Sequence, residues 1–191
     1  MKQYASFIRT MILMVIIASL YRIIPDRQPG FAPQLAMALF AGAVIKDKKW
    51  AFALPLLSMM ISDLLYHFLY IQGLTEIRGF YSGQAVNYLL FAGMTAIGFF
   101  MKKINVKNIF VFSLIAPAIY FILSNFHVWI TGGGFNRPKT FEGLMMCYGD
   151  GLPFFRNSLI ATLLFSAILF GVWRLVIKRD PGQLATANTV R

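Results

Sequence analysis

Six apolar runs divide the chain, at about residues 7–24, 31–45, 51–72, 85–101, 109–131 and 153–177. Most approach the ~20 residues a helix needs to cross a hydrocarbon layer of ~30 Å. The pattern predicts an all-α, six-transmembrane-helix bundle, one domain over residues 1–178, with a short polar tail over 179–191. The second run is about 15 residues and needs tilt, local thinning or shielding by its neighbours. The breaks carry residues that end helices or seek water. Pro25, Pro29 and Gly30 follow the first run, and Lys46-Asp47-Lys48-Lys49 the second. Gly73 to Gly83 follow the third, Lys102, Lys103 and Lys107 the fourth, and Gly132 to Pro153 the fifth. The first run ends in Tyr21-Arg22 with no small-x-small cleavage site, so it reads as a retained helix and not a signal peptide.

Composition agrees with this division. Of 191 residues, 58% are apolar and 13% charged, where a soluble domain carries about 25% charged residues. The formal charge of +11 does not point to nucleic acid, because the basic residues sit in clusters between apolar runs. Threading the runs back and forth puts twelve Lys and Arg on the side of both termini and six on the other. That predicts both termini in the cytoplasm of a bacterial inner-membrane protein. Cys147 is the single cysteine, which excludes an internal disulfide and a Cys-rich metal site.

With direction assigned, the strongly polar residues inside the runs fall in the outer half. They are Gln34, Asp63, His67, Asn87, Asn125, Trp129, Arg156 and Asn157. The inner halves hold only weak groups such as Thr10, Ser113, Thr162 and Ser166, which can bond their own helix backbone. This predicts a polar chamber open to the outside above an apolar plug, with those eight residues as candidate solute-binding groups. Asp63 stands out, because an ionised Asp at a helix centre costs ~2.5–3.5 kcal/mol on insertion scales and therefore needs a partner or water. His67 lies one turn away on the same face. The two either pair as a staple, line the chamber, or form a proton or metal relay. Asn125 and Trp129 share a face, and His127 points away from them. Two His and one Asp fall short of a usual zinc site, so no metal is expected. No nucleophile elbow, metalloprotease helix or phosphate-binding loop is present, so neither an enzyme nor a cofactor is expected.

Between the last two runs, Gly132-Gly133-Gly134 ends a helix, and Thr140 can cap a short helix with Glu142 in its first turn. Phe141, Leu144, Met145 and Tyr148 make one apolar stripe, which suits either a lid or a helix lying on the membrane surface. Gly149-Asp150-Gly151 and Pro153 then read as a turn. Gly133, Asn136, Arg137, Tyr148 and Asp150 are the candidate gating groups. Ala38 and Gly42 form a small-xxx-small pair for close helix packing, with Gly93 and Gly98 a poorer match.

Several stretches resemble an uncharacterised family of bacterial transport proteins: Phe31-Ala-Pro-Gln-Leu-Ala-Met-Ala-Leu-Phe-Ala-Gly-Ala43, Pro55-Leu-Leu-Ser-Met-Met-Ile-Ser-Asp63, Ser124-Asn-Phe-His-Val-Trp129 and Cys147-Tyr-Gly-Asp-Gly-Leu-Pro-Phe-Phe-Arg-Asn157. That family is similar to the substrate-binding S components of energy-coupling-factor (ECF) vitamin transporters. The resemblance implies a six-helix subunit that captures a vitamin-like micronutrient near the outer surface. It implies association with a transmembrane coupling protein and ATPase subunits. It makes Asn125, Trp129, Arg156 and Asn157 binding-wall candidates and the 132–152 segment a gate. The first run, Phe7 to Ile24, lacks the Ala-xxx-Ala coupling surface of many S components. The residues also leave room for an ion-coupled permease or metal carrier using Asp63 and His67, or a non-transporting membrane subunit.

Overall fold

A computed structural model describes residues 2–179, and among these all regular structure is helical. The elements are α1 (Lys2–Arg22), α2 (Gln34–Val44), α3 (Lys48–Ile71), α4 (Gln84–Phe99), α5 (Val106–Thr131) and α6 (Phe141–Arg179). Each overlaps one apolar run, and α6 begins well before the sixth. The expected tail over 179–191 lies almost wholly outside the described residues. Three helices, Lys48–Ile71, Val106–Thr131 and Phe141–Leu175, are long and apolar enough to cross a membrane. Three shorter apolar helices, Ile12–Arg22, Gln34–Val44 and Gln84–Phe99, accompany them.

The helices are apolar outside and partly polar inside, the reverse of a soluble amphipathic helix. On α3 the exposed positions include Leu57, Met60, Leu64, Phe68 and Ile71, at a spacing of three or four. Its buried face carries Ser58, Ser62 and Asp63 among Ala51, Leu54 and Met59. Ser58 Oγ donates to the Pro55 carbonyl and Ser62 Oγ to that of Met59. Each hydroxyl thus goes inside without stranding its donor. Ile12, Leu13, Ile16, Ile17 and Leu20 give α1 a similarly exposed apolar face. Such broad apolar exteriors call for an apolar surround.

The short second run is explained by enclosure. Nine of the eleven residues of α2 are buried, and it packs on α3, α4, α5 and α6. At about 1.5 Å per residue it falls well short of a ~30 Å hydrocarbon layer, and its neighbours shield it. Its closest approach is to α4. A Cβ on Gly42 would stand 2.1 Å from the Thr95 carbonyl oxygen and 2.9 Å from Gly98 Cα. The useful pair of small residues is therefore Gly42 against Gly98, one on each helix, while nothing lies within 4 Å of a Cβ built at Gly93. The apolar plug consists of Val15, Met37, Ala41, Ile45 and Leu54 beside a second cluster of Phe40, Met101 and Phe170.

One expectation is corrected. The apolar stripe at 141–148 and the sixth run are a single helix of 39 residues running through Gly149, Gly151 and Pro153. Thr140 does cap it, accepting from the Gly143 N–H at 3.1 Å. The expected turn is absent because α5 packs where Gly151 has no side chain. A Cβ there would stand 2.4 Å from Asn125 Oδ1. Tyr148 stacks on Phe121 of α5 with ring centroids 5.6 Å apart, which holds the same stretch helical.

Candidate functional site

The polar interior gathers around Arg22, the last residue of α1. A cation there complements the negative end of the helix dipole. It faces the buried side of α3, where Met59, Ser62, Asp63 and Tyr66 recur at helical spacing. Arg22 Nη1 donates to Asp63 Oδ1 and, at 2.7 Å, to Ser62 Oγ. Tyr66 Oη closes the arrangement by donating to the Arg22 carbonyl at 2.6 Å. From α4, Gln84 Nε2 and Tyr88 Oη both donate to Asp63 Oδ2, at 2.5 and 2.7 Å. Gln84 is placed by Gly83, which takes a left-handed φ of 86° ahead of α4. Asp63 is 1% exposed, and its carboxylate receives a cation from α1 and two neutral donors from α4, so its negative charge is answered inside the protein.

This arrangement separates Asp63 from His67. The imidazole lies on the exposed side of α3, edge-on to Phe80 at 5.3 Å. Of the three readings open for Asp63 and His67, the staple gives way to a charged partner for Asp63 across the helix interface, Arg22. Among the described residues no three His, Cys, Asp or Glu lie close enough to hold a metal ion.

Beside this network lies a cavity of about 160 Å3. Its polar wall is Arg22, Arg27, Gln34, Asn87, Tyr120 and Ser158, and its apolar wall includes Leu35, Met59 and Phe91. All six helices therefore contribute, together with the 23–33 connection. That connection is tied down by α6. Asn157 Nδ2 donates to the Pro29 carbonyl at 2.9 Å, and Ser158 Oγ to that of Gly30 at 3.0 Å. Asn87 is fixed between two tyrosines, accepting from Tyr120 Oη at 2.6 Å and donating to Tyr81 Oη at 3.0 Å. Desolvation raises the Tyr81 phenol above its ordinary value, which keeps it a neutral partner.

Three buried side-chain atoms among the described residues lack a hydrogen-bond partner, Ser113 Oγ, Ser166 Oγ and Gln34 Oε1, and of these residues Gln34 is the one in the cavity wall. It is 2% exposed and lines the cavity. Its Nε2 donates to the Ala18 carbonyl at 3.2 Å, which fixes the orientation of the amide. Its Oε1 then has no hydrogen-bond partner, where buried polar atoms are normally satisfied by protein, water or ligand.

Of the residues picked out in the sequence, Gln34 and Asn87 line this cavity, and Asp63 supports it through Arg22. Asn157 acts one step back by holding the loop. Asn125 Nδ2 instead donates to the Phe121 carbonyl at 2.9 Å at the contact with α6. Trp129 Nε1 donates to the Pro138 carbonyl at 2.8 Å, and Arg156 is exposed. The gating set is also displaced. Tyr148 and Asp150 belong to α6, and Tyr148 Oη donates to the Ile122 carbonyl at 3.2 Å. Gly133 and Asn136 shape the 132–140 connection, where the Asn136 N–H donates to the Gly133 carbonyl. Arg137 ties that connection to α6 by two bonds to Asp150, at 2.8 and 2.9 Å, which raise the guanidinium's pKa further. None of these five lines the cavity. The residues missed were Arg22, Arg27, Gln84, Tyr88, Tyr120 and Ser158. Arg22 left one signal: it is a cation at the outer end of an apolar run, and a buried Asp needs such a partner.

The fold and its interior define a class, an all-helical protein with helices able to cross a membrane and a polar cluster held among them. Within that class the chain belongs to a family of unknown function, DUF6580, whose pattern matches residues 2–184. No curated protein and no solved structure matches the chain.

Proposed function

We propose that this protein is a six-span inner-membrane protein, with both termini in the cytoplasm, that captures a small polar solute from the outside for uptake. The observation that carries the reading is the cavity under the outer loops, with the unpaired, buried Gln34 Oε1 in its wall. A stranded acceptor costs ~1–3 kcal/mol, and a solute donor would remove that cost. The network behind it is suited to holding a site still: Asp63 fixes Arg22, and Asn87 is braced by Tyr81 and Tyr120. Size sharpens the reading. A cavity of about 160 Å3 is below the ~300–1,000 Å3 typical of drug-sized ligands. It corresponds to the space of about five waters at ~30 Å3 each. That favours a solute smaller than the vitamins taken by S components. Uptake in the S-component manner would draw its energy from a coupling protein with ATPase subunits.

The test is to purify the protein from its native host in mild detergent and identify co-purified small molecules by mass spectrometry. A stoichiometric solute that is lost from the Gln34→Leu protein is the expected result. A solute-free wild type, or a solute retained by the variant, would overturn the reading.

A further inference from the structure

The cavity's charge and its unmet hydrogen bonds point to a definite kind of solute. Resting on the reading that this cavity binds solute, we infer that it takes a small organic anion bearing a neutral O–H or N–H donor next to its charge, such as a short-chain hydroxy acid.

Three observations converge. First, the wall carries two guanidinium groups, Arg22 and Arg27, and among the described residues the one carboxylate bonded to either is that of Asp63. Arg27 makes its bonds to neutral carbonyls only, those of Arg22, Gln28 and Phe31, at 3.3, 3.3 and 2.6 Å. The local balance is one cation in excess. Arg22 directs only Nη1 to Asp63, Ser62 and the Met59 carbonyl, and its remaining N–H groups make no bond among the described residues. An arginine fork of this kind matches a carboxylate.

Second, α2 begins at the cavity. Its first residues, Gln34 and Leu35, are wall residues. Pro33 stands at its N-cap with no side chain that accepts from the first turn. The first four N–H groups of a helix have no acceptor within it, and the dipole places partial positive charge there. This is the end of a buried half-length helix, an arrangement that suits anionic groups at membrane depth.

Third, and independently, Gln34 presents an acceptor, not a donor, because its Nε2 is held by Ala18. A bare carboxylate offers it nothing, since an ionised carboxylate only accepts. The solute must bring its own donor, close enough to its charge for both to fit in this space. A cation would meet two arginines. A neutral polyol would leave the excess charge unanswered.

Four probes separate these terms on the full-length protein in lipid nanodiscs, read by titration calorimetry. Glycolate has charge and donor, acetate lacks the donor, ethylene glycol lacks the charge, and ethanolamine reverses it. Glycolate is expected to bind at least tenfold more tightly than the other three. The Arg27→Gln protein should lose tenfold or more in glycolate affinity, and Arg27→Lys should recover part of it. In Gln34→Leu the preference for glycolate over acetate should disappear. Ethylene glycol or ethanolamine binding as well as glycolate, with the binding still lost in Gln34→Leu, would overturn the anion assignment and leave the solute-binding reading standing. No heat from any of the four would overturn both.

Discussion

Arg22 and Asp63 show how a single buried charge organises its surroundings. Arg22 is mostly and Asp63 almost wholly withdrawn from solvent, and taking one partner away strands the other at a cost of ~3–5 kcal/mol. Arg22→Met is therefore expected to destabilise the protein by about that amount. Replacing both, as Arg22→Met with Asp63→Leu, should restore part of the loss, because an apolar pair needs no charge compensation while Gln84 and Tyr88 lose their shared acceptor. Thermal unfolding of the four proteins in one detergent gives the coupling, and additive losses would show that the pair is not the unit. The sequence identified Asp63 as needing a partner but not which one. Its spacing to His67 is local and visible, whereas Arg22 is 41 positions away and arrives only through helix packing. The same distinction sorts the asparagines. Asn87 braces the cavity, so Asn87→Ala should abolish solute binding. Asn125 bonds within α5 beside Gly151, so Asn125→Ala should lower the melting temperature and leave affinity within about twofold, the scale of surface or remote changes under ~0.5 kcal/mol. A lost affinity in Asn125→Ala would return it to the site.

The six elements were legible because an apolar run of spanning length has few other uses, and α2 to α5 fall within a few residues of their runs, whereas α6 begins at Phe141, well before its run. What was not legible was how helices approach one another. Gly149-Asp150-Gly151 carries the composition of a turn in water, yet in α6 its glycine makes room for Asn125. In an apolar surround a broken helix would expose backbone groups, and Pro and Gly are accommodated inside helices when neighbours re-satisfy what they free. Gly42 shows the same logic at the core of the bundle, where the atoms facing it are backbone and cannot move aside. Gly42→Ala is expected to force α2 from α4 at a cost of about 1–3 kcal/mol, whereas Gly93→Ala, facing open space, should be neutral or stabilising by up to ~1 kcal/mol from helix propensity. Equal melting temperatures for the two variants would mean that α2 and α4 do not meet at these glycines.

For the whole molecule the decisive property is direction. The cavity is lined by the C-terminal end of α1, the first residues of α2 and the 23–33 connection, together with the mid-helix residues Met59, Phe91, Tyr120 and Ser158, so it lies beneath the 23–33 connection and reaches into the middle of the bundle. The proposed outward orientation of the side with the 23–33 connection rests on the charge count, since the loops with Lys46, Lys48, Lys49, Lys102, Lys103 and Lys107 belong to the opposite end and basic loops stay in the cytoplasm. The single cysteine makes this testable. Cys147 is buried, and Cys147→Ser gives a background without thiols. On it, Lys48→Cys and Lys103→Cys place exposed thiols at the basic end, and Glu76→Cys and Lys139→Cys place them at the cavity end. A membrane-impermeant maleimide added to intact spheroplasts should label positions 76 and 139, and positions 48 and 103 only after permeabilisation. The reverse pattern would turn the cavity towards the cytoplasm and make the protein an exporter or a sensor of internal solute. Labelling of positions 76 and 103 together in intact cells would mean that the shorter helix α4 between them does not cross, leaving the cavity without a sealed side and solute capture for uptake without a route.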